Sequence, residues 1–124
     1  MKYDATRRPP APKLDVVIGA PDEPTLTILT RARLDTGADI TLIPESIVRQ
    51  LQLPVEDTIV VVGYDQGIMD RPTFLVDMRI LGQTFTAVSV IAAARDEVLL
   101  GLDILNSFVT TLDGPAQELE MRMP

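Results

Sequence analysis

Between Phe74 and Leu81 apolar side chains fall on every second residue, with Phe74, Val76, Met78 and Ile80 alternating against Asp77 and Arg79. A period of two sends one set of side chains to each face of an extended strand, so this stretch reads as a strand with one face on a core. Leu81-Gly82-Gln83 follows as a turn, and residues 84–91 as the returning strand of a hairpin. Similar apolar and β-branched runs occupy 14–18, 26–34, 58–62, 109–112 and 118–121, and the ten prolines and seven glycines are scattered among them. That is the punctuation of many short strands, so the expected class is mainly β. A chain of 124 residues with 46% apolar content fits one domain with a real core.

Residues 1–13 carry Pro9, Pro10 and Pro12, each of which removes a backbone donor and restrains φ. They read as a flexible N-terminal tail ahead of a domain spanning 14–124, with Lys2, Arg7, Arg8 and Lys13 as solvated charges. Two short helices are expected. Residues 43–51 place Pro44 in a first turn, Glu45 at the positive end of the helix dipole, and Ile47, Val48 and Leu51 on one face before Pro54 stops the run. Asp103 is a candidate cap for a second helix reaching residue 108, with Ile104, Leu105 and Phe108 inward.

The inventory of side chains excludes much chemistry. With no cysteine and no histidine, thiol catalysis, disulfides, a Ser-His-Asp triad and the common zinc sites are ruled out. A formal charge of −7 argues against nucleic acid, whose binding rests on clustered Lys and Arg. No run of apolar residues reaches membrane-spanning or signal-peptide length, so no membrane partner and a cytoplasmic location are expected. Hydrolytic chemistry in such a chain has to run on carboxylates, hydroxyls, amines or an oxygen-bound metal. Asp35, Asp39 and Asp103 lack the acid and glycine spacing of a calcium loop, so neither metal nor other cofactor is expected.

The most informative stretch is Arg33-Leu34-Asp35-Thr36-Gly37-Ala38-Asp39, an apolar strand running into Asp-Thr-Gly. By itself such a tripeptide also suits an ordinary turn. A second stretch, Val98-Leu99-Leu100-Gly101-Leu102-Asp103-Ile104-Leu105, adds paired apolar residues and a glycine ahead of the second helix. Together the two resemble the signatures of retropepsin-like, retroviral-type aspartic proteases, and the order of strands, helices and hairpins agrees over about residues 14–121. The resemblance implies a closed, barrel-like acid protease fold in which Leu99, Leu100 and Gly101 pack beside the catalytic strand in a loop shaped like the letter ψ. It also implies an endopeptidase acting as a homodimer on an extended peptide or protein substrate. Many viral members carry Arg after the second glycine, where this chain has Leu102; Gly-Leu-Asp is instead similar to the retropepsin-like domain of eukaryotic DNA-damage-inducible proteins.

The chemistry accounts for the residue types. Water is a weak nucleophile and an amide a weak electrophile, so hydrolysis needs a general base and a general acid at one water. Two facing carboxylates supply both, because like charges at hydrogen-bond distance share one proton between them. The chain holds one Asp-Thr-Gly, hence the need for two copies. The resemblance makes Asp35, Thr36 and Gly37 the catalytic set, with the Thr36 hydroxyl bracing the two loops and Gly37 admitting close approach of backbone. Ala38 and Asp39, with Val62, Gly63 and Tyr64 from a flap hairpin at 60–72, are the candidate substrate contacts. Asp39 reads equally as a surface charge, and the flap also as a plain surface hairpin. The aliphatic run around Ile40, Leu42, Ile59 and Val61 points to apolar substrate side chains. The alternative function is a dimeric peptide-binding module of the same fold with weak or absent catalysis.

Overall fold

The computed structural model describes residues 1–6, 8–62 and 67–124. Its strands are β1 (Lys13–Ala20), β2 (Glu23–Leu34), β3 (Leu42–Pro44), β4 (Asp57–Val62), β5 (Ile68–Ile80), β6 (Gln83–Ala93), β7 (Val98–Leu100), β8 (Val109–Asp113) and β9 (Glu118–Arg122). Two helices, α1 (Glu45–Gln50) and α2 (Leu102–Leu105), interrupt them. The mainly β expectation holds. No helix among the described residues is long and apolar enough to cross a membrane.

Seven strands form one sheet in the order β1-β2-β7-β3-β6-β5-β4, and β1 also pairs with β5, which closes a ring. The alternation in β5 does what its period requires: Phe74, Val76, Met78 and Ile80 are all buried. They meet Leu14, Val16 and Ile18 of β1, Val90 of β6, Val98 and Leu100 of β7, and the helix residues Ile47, Ile104 and Leu105 in one apolar core. The β5–β6 hairpin turns on Leu81 and Gly82, both at positive φ, which is the turn geometry whose twist matches paired strands. Gln83 therefore belongs to β6.

The strand β7 lies between β2 and β3, parallel to the first and antiparallel to the second. Since β2 and β3 are joined by residues 35–41, a central strand is flanked by two that one loop connects, which is the ψ arrangement. β3 was not anticipated, because three residues are too short to show a period.

Three local expectations change. α2 stops at Leu105, because Ser107 and Phe108 donate to the carbonyls three residues back, in a tighter turn that does not continue the helix. The N-cap of α2 is Gly101, and Asp103 sits inside the helix, its Oδ1 accepting from the adjacent Ile104 N–H and from the Thr41 hydroxyl. Lys13 is not solvated: it opens β1 at 6% exposure. The first residues also lie against the body, with Met1 and Leu119 exchanging backbone hydrogen bonds and Tyr3 N–H donating to the Gln117 carbonyl. The strand β9 thus has β8 on one side and, at its start, the chain's first residues on the other.

Candidate active site

β2 delivers Asp35 to a defined place. The Asp35 N–H donates to the Leu100 carbonyl at 2.9 Å, which extends the β2–β7 ladder by one residue and stops the strand there. The chain then turns: Gly37 N–H donates to Asp35 Oδ1 at 3.0 Å, and Ala38 N–H to the Asp35 carbonyl at 3.2 Å. A carboxylate with one oxygen held by the loop keeps its other oxygen for a ligand.

The loop is clamped from behind by the start of α2. Leu102 N–H donates to the Ala38 carbonyl at 2.8 Å, and Asp103 N–H to the Asp39 carbonyl at 3.2 Å. Gly101 is required for that contact, since a Cβ there would stand 2.7 Å from the Ala38 carbonyl oxygen and 2.9 Å from the Ile40 carbonyl carbon. Thr41 is fully buried where the loop leaves for β3. Its hydroxyl accepts from Gly101 N–H at 3.1 Å and donates to Asp103 Oδ1 at 2.8 Å, while its backbone N–H donates to Asp103 Oδ2 at 3.0 Å. Asp103 thereby uses both carboxylate oxygens to hold the far end of the Asp35 loop.

An open cleft of about 690 Å³ lies over this loop, lined by Arg33, Leu34, Asp35, Gly37, Ala38, Leu42, Val62, Arg95 and Leu99. Of the sequence candidates, Asp35, Gly37, Ala38 and Val62 meet at this cleft, and so does Leu99. Thr36 is exposed at the loop tip, with no hydroxyl partner among the described residues of the chain. Asp39 is exposed and does not line the cleft. Leu100 is in the core and Gly101 is buried under the loop. Gly63 and Tyr64 lie outside the described residues; the strands on either side of them, β4 and the start of β5, pair from Asp57 with Thr73 to Val62 with Ile68.

Sequence reasoning missed the bracing pair Thr41 and Asp103 and the cleft residues Arg33 and Arg95. A signal for the first existed, because a hydroxyl inside the apolar run from Ile40 to Ile43 has to find a partner once buried. Arg33 was legible from parity: it has the opposite phase to the buried Ala32.

Through Arg33 the cleft adjoins a charge cluster. Lys13 Nζ reaches Glu97 Oε2 at 2.7 Å and Asp4 Oδ2 at 3.1 Å, and Arg33 Nη1 stands 3.9 Å from Glu97 Oε1. The Glu97 bond, more than the Asp4 bond, raises the Lys13 ammonium above its ordinary value against the opposing effect of burial. Hydrogen bonds from the Thr6 hydroxyl and N–H, with Lys13 behind them, hold Asp4 well below the usual carboxylate range. Among the described residues no group of three or more acidic side chains converges as metal ligands would.

Comparison with known proteins agrees with this geometry. The family model described as gag-polyprotein putative aspartyl protease matches residues 29–107, a span that begins in β2 and ends just past α2. The fold is similar to that of the EIAV protease in complex with an inhibitor, at 21% identity and a TM-score of 0.58, over 86% of this chain and 92% of that one. It is similar to a retropepsin-like aspartic protease from Rickettsia conorii, at 14% identity and a TM-score of 0.61, over 93% and 83%. The retroviral protease-like domain of Ddi1 from Leishmania major superimposes at 17% identity and a TM-score of 0.51, over 87% and 86%. No curated protein matches by sequence. At these identities the structural likeness establishes a shared retropepsin fold.

Proposed function

The chain belongs to the gag-polyprotein aspartyl protease family, whose signature covers more than half of its length, and from that premise we propose that it is an aspartic endopeptidase working as a homodimer in the cytoplasm. The observation that carries this reading is that Asp35 is the one carboxylate among the described residues lining the cleft. One chain therefore brings half of an acid–base pair. A second copy related by a two-fold axis brings the other half, and the exposed Thr36 of each loop is free to brace its counterpart.

The two Asp35 carboxyls then share one proton, because a second negative charge at hydrogen-bond distance is unfavourable. The ionised Asp35 takes a proton from water as the water oxygen bonds to the scissile carbonyl carbon. The protonated Asp35 of the second copy donates its proton to the carbonyl oxygen, giving a neutral tetrahedral diol. Transfer of a proton to the amide nitrogen, with return of a hydroxyl proton to the carboxylates, breaks the C–N bond and restores the dyad. Val62 on the flap side and Leu34, Leu42 and Leu99 on the floor exclude water and seat substrate side chains.

Asp35→Asn tests the reading. The asparagine amide oxygen can still accept from Gly37 N–H, so fold and association are expected to persist while cleavage of a peptide pool is lost. Undiminished cleavage by that variant, freed of wild-type contamination, would falsify the assignment. The peptide-binding alternative draws on Leu102, which offers no cation to tie Asp39; binding without cleavage by the wild-type dimer would favour it.

A further inference from the structure

The cleft differs in charge from the chain that builds it. The chain has 18 acidic and 11 basic side chains, yet the ionisable groups among the described cleft residues are one carboxylate, Asp35, and two guanidiniums, Arg33 and Arg95. Strand register explains the first of these. Arg33 pairs with Leu99, and Leu99 with Leu42. Their neighbours Ala32, Val98, Leu100 and Ile43 are buried in the core. Alternation therefore brings Arg33, Leu99 and Leu42 out together on the cleft side.

Neither guanidinium is used up among the described residues. The Arg33 side chain is 39% exposed, and its Glu97 contact at 3.9 Å is too long for a hydrogen bond. Glu97 itself is committed through its other oxygen to Lys13 at 2.7 Å. Arg95 is exposed, with no ion pair among the described residues. A guanidinium carries five donors in a planar fork that suits a carboxylate, and here two such forks line the same cleft as the residue proposed to cut the peptide.

We propose that Arg33 and Arg95 form a cationic subsite beside Asp35 that receives the carboxylate of an aspartate or glutamate side chain in the substrate. This rests on the peptidase reading of the cleft and narrows its substrate class. The apolar preference inferred from the aliphatic run is then only part of the recognition: Leu34, Leu42, Val62 and Leu99 take an apolar side chain, and the arginines take an acidic one close to the scissile bond. With a chain charge of −7, acidic peptides gain nothing from long-range attraction, so the selection acts at contact distance.

The test uses peptides identical except for Glu, Gln or Leu at each position flanking the bond cut in an unbiased pool. The wild-type chain is expected to show kcat/KM for Glu about tenfold or more above that for the isosteric Gln, as a charge-assisted hydrogen bond provides. The ratio should collapse toward one in Arg33→Gln/Arg95→Gln and be partly kept in Arg33→Lys. Wild-type cleavage that does not distinguish Glu from Gln overturns the subsite and leaves the protease assignment intact. If the wild-type chain cuts nothing in the pool, the protease assignment falls. The subsite is then judged by fluorescence anisotropy of a labelled, leucine-rich octapeptide carrying either Glu or Gln at its two central positions, where equal binding of the Glu and Gln forms overturns it as well.

Discussion

Thr41 and Asp103 hold one another by two hydrogen bonds, from the Thr41 hydroxyl to Oδ1 at 2.8 Å and from the Thr41 N–H to Oδ2 at 3.0 Å. The pair joins the exit of the Asp35 loop to the first turn of α2. The same hydroxyl accepts the Gly101 N–H, so one buried oxygen ties the exit of the Asp35 loop to the second signature segment at two points. Asp103, which has the look of a helix cap in the sequence, works instead as the anchor of the Asp35 loop.

Thr41→Val keeps the side-chain shape and deletes that oxygen. It leaves the buried Gly101 N–H without its acceptor and Asp103 with one donor fewer. The expected cost is about 1–3 kcal/mol, seen as a lower urea midpoint at an unchanged slope. Thr41→Ser should recover most of it, and a valine variant as stable as wild type would remove the brace from the account.

Gly101→Ala drives a Cβ into two backbone atoms that have little room to give. Gly37→Ala meets only Asp35 Oδ1, at 3.2 Å, in the open cleft. Thermal unfolding should rank them accordingly: Gly101→Ala loses about 1–3 kcal/mol from overpacking, and Gly37→Ala loses less stability while still obstructing the cleft. The reverse order of melting temperatures would contradict the clamp.

Lys13→Met leaves the buried Glu97 with only the Arg33 contact at 3.9 Å and removes the cation beside the half-buried Asp4. Breaking such a pair from one side costs about 3–5 kcal/mol. Removing the opposing charge as well, in Lys13→Met/Glu97→Leu, should restore part of that loss. Chemical denaturation of the single and double variants checks it, and a double variant less stable than Lys13→Met alone would mean that Glu97 has another role.

The same cluster sets a pH dependence with a definite sign. Asp4 is depressed below its ordinary 3.8, first by the Thr6 hydroxyl, so its contribution is present above that value and is lost as pH falls through the lowered pKa. Lys13 is raised above its ordinary 10.5, so its contribution is full below that value and is lost as pH rises through the raised one. Stability from this cluster should be flat from about pH 5 to about pH 9 and fall outside that range. Thr6→Val should raise the Asp4 pKa in a carbon-detected NMR titration and move the onset of acid unfolding to higher pH. An unshifted Asp4 titration would assign its depression to Lys13 instead.

What the sequence determined by itself is local. The period of two in β5 specifies a strand and its buried face, Leu81-Gly82 specifies the turn, and Asp35-Thr36-Gly37 with Leu99-Leu100-Gly101 marks the family, because each signal is carried by residues adjacent in the chain. Pairing decided the rest. Whether Lys13 is solvated or buried depends on Glu97, 84 positions away; whether Asp103 caps a helix or anchors a loop depends on Thr41. That Arg33 faces the cleft beside Leu99 and Leu42 depends on a β2–β7–β3 register set by the whole ring. A carboxylate or a guanidinium can be satisfied by many partners, and its own neighbours in sequence do not say which one the fold will bring within 3 Å.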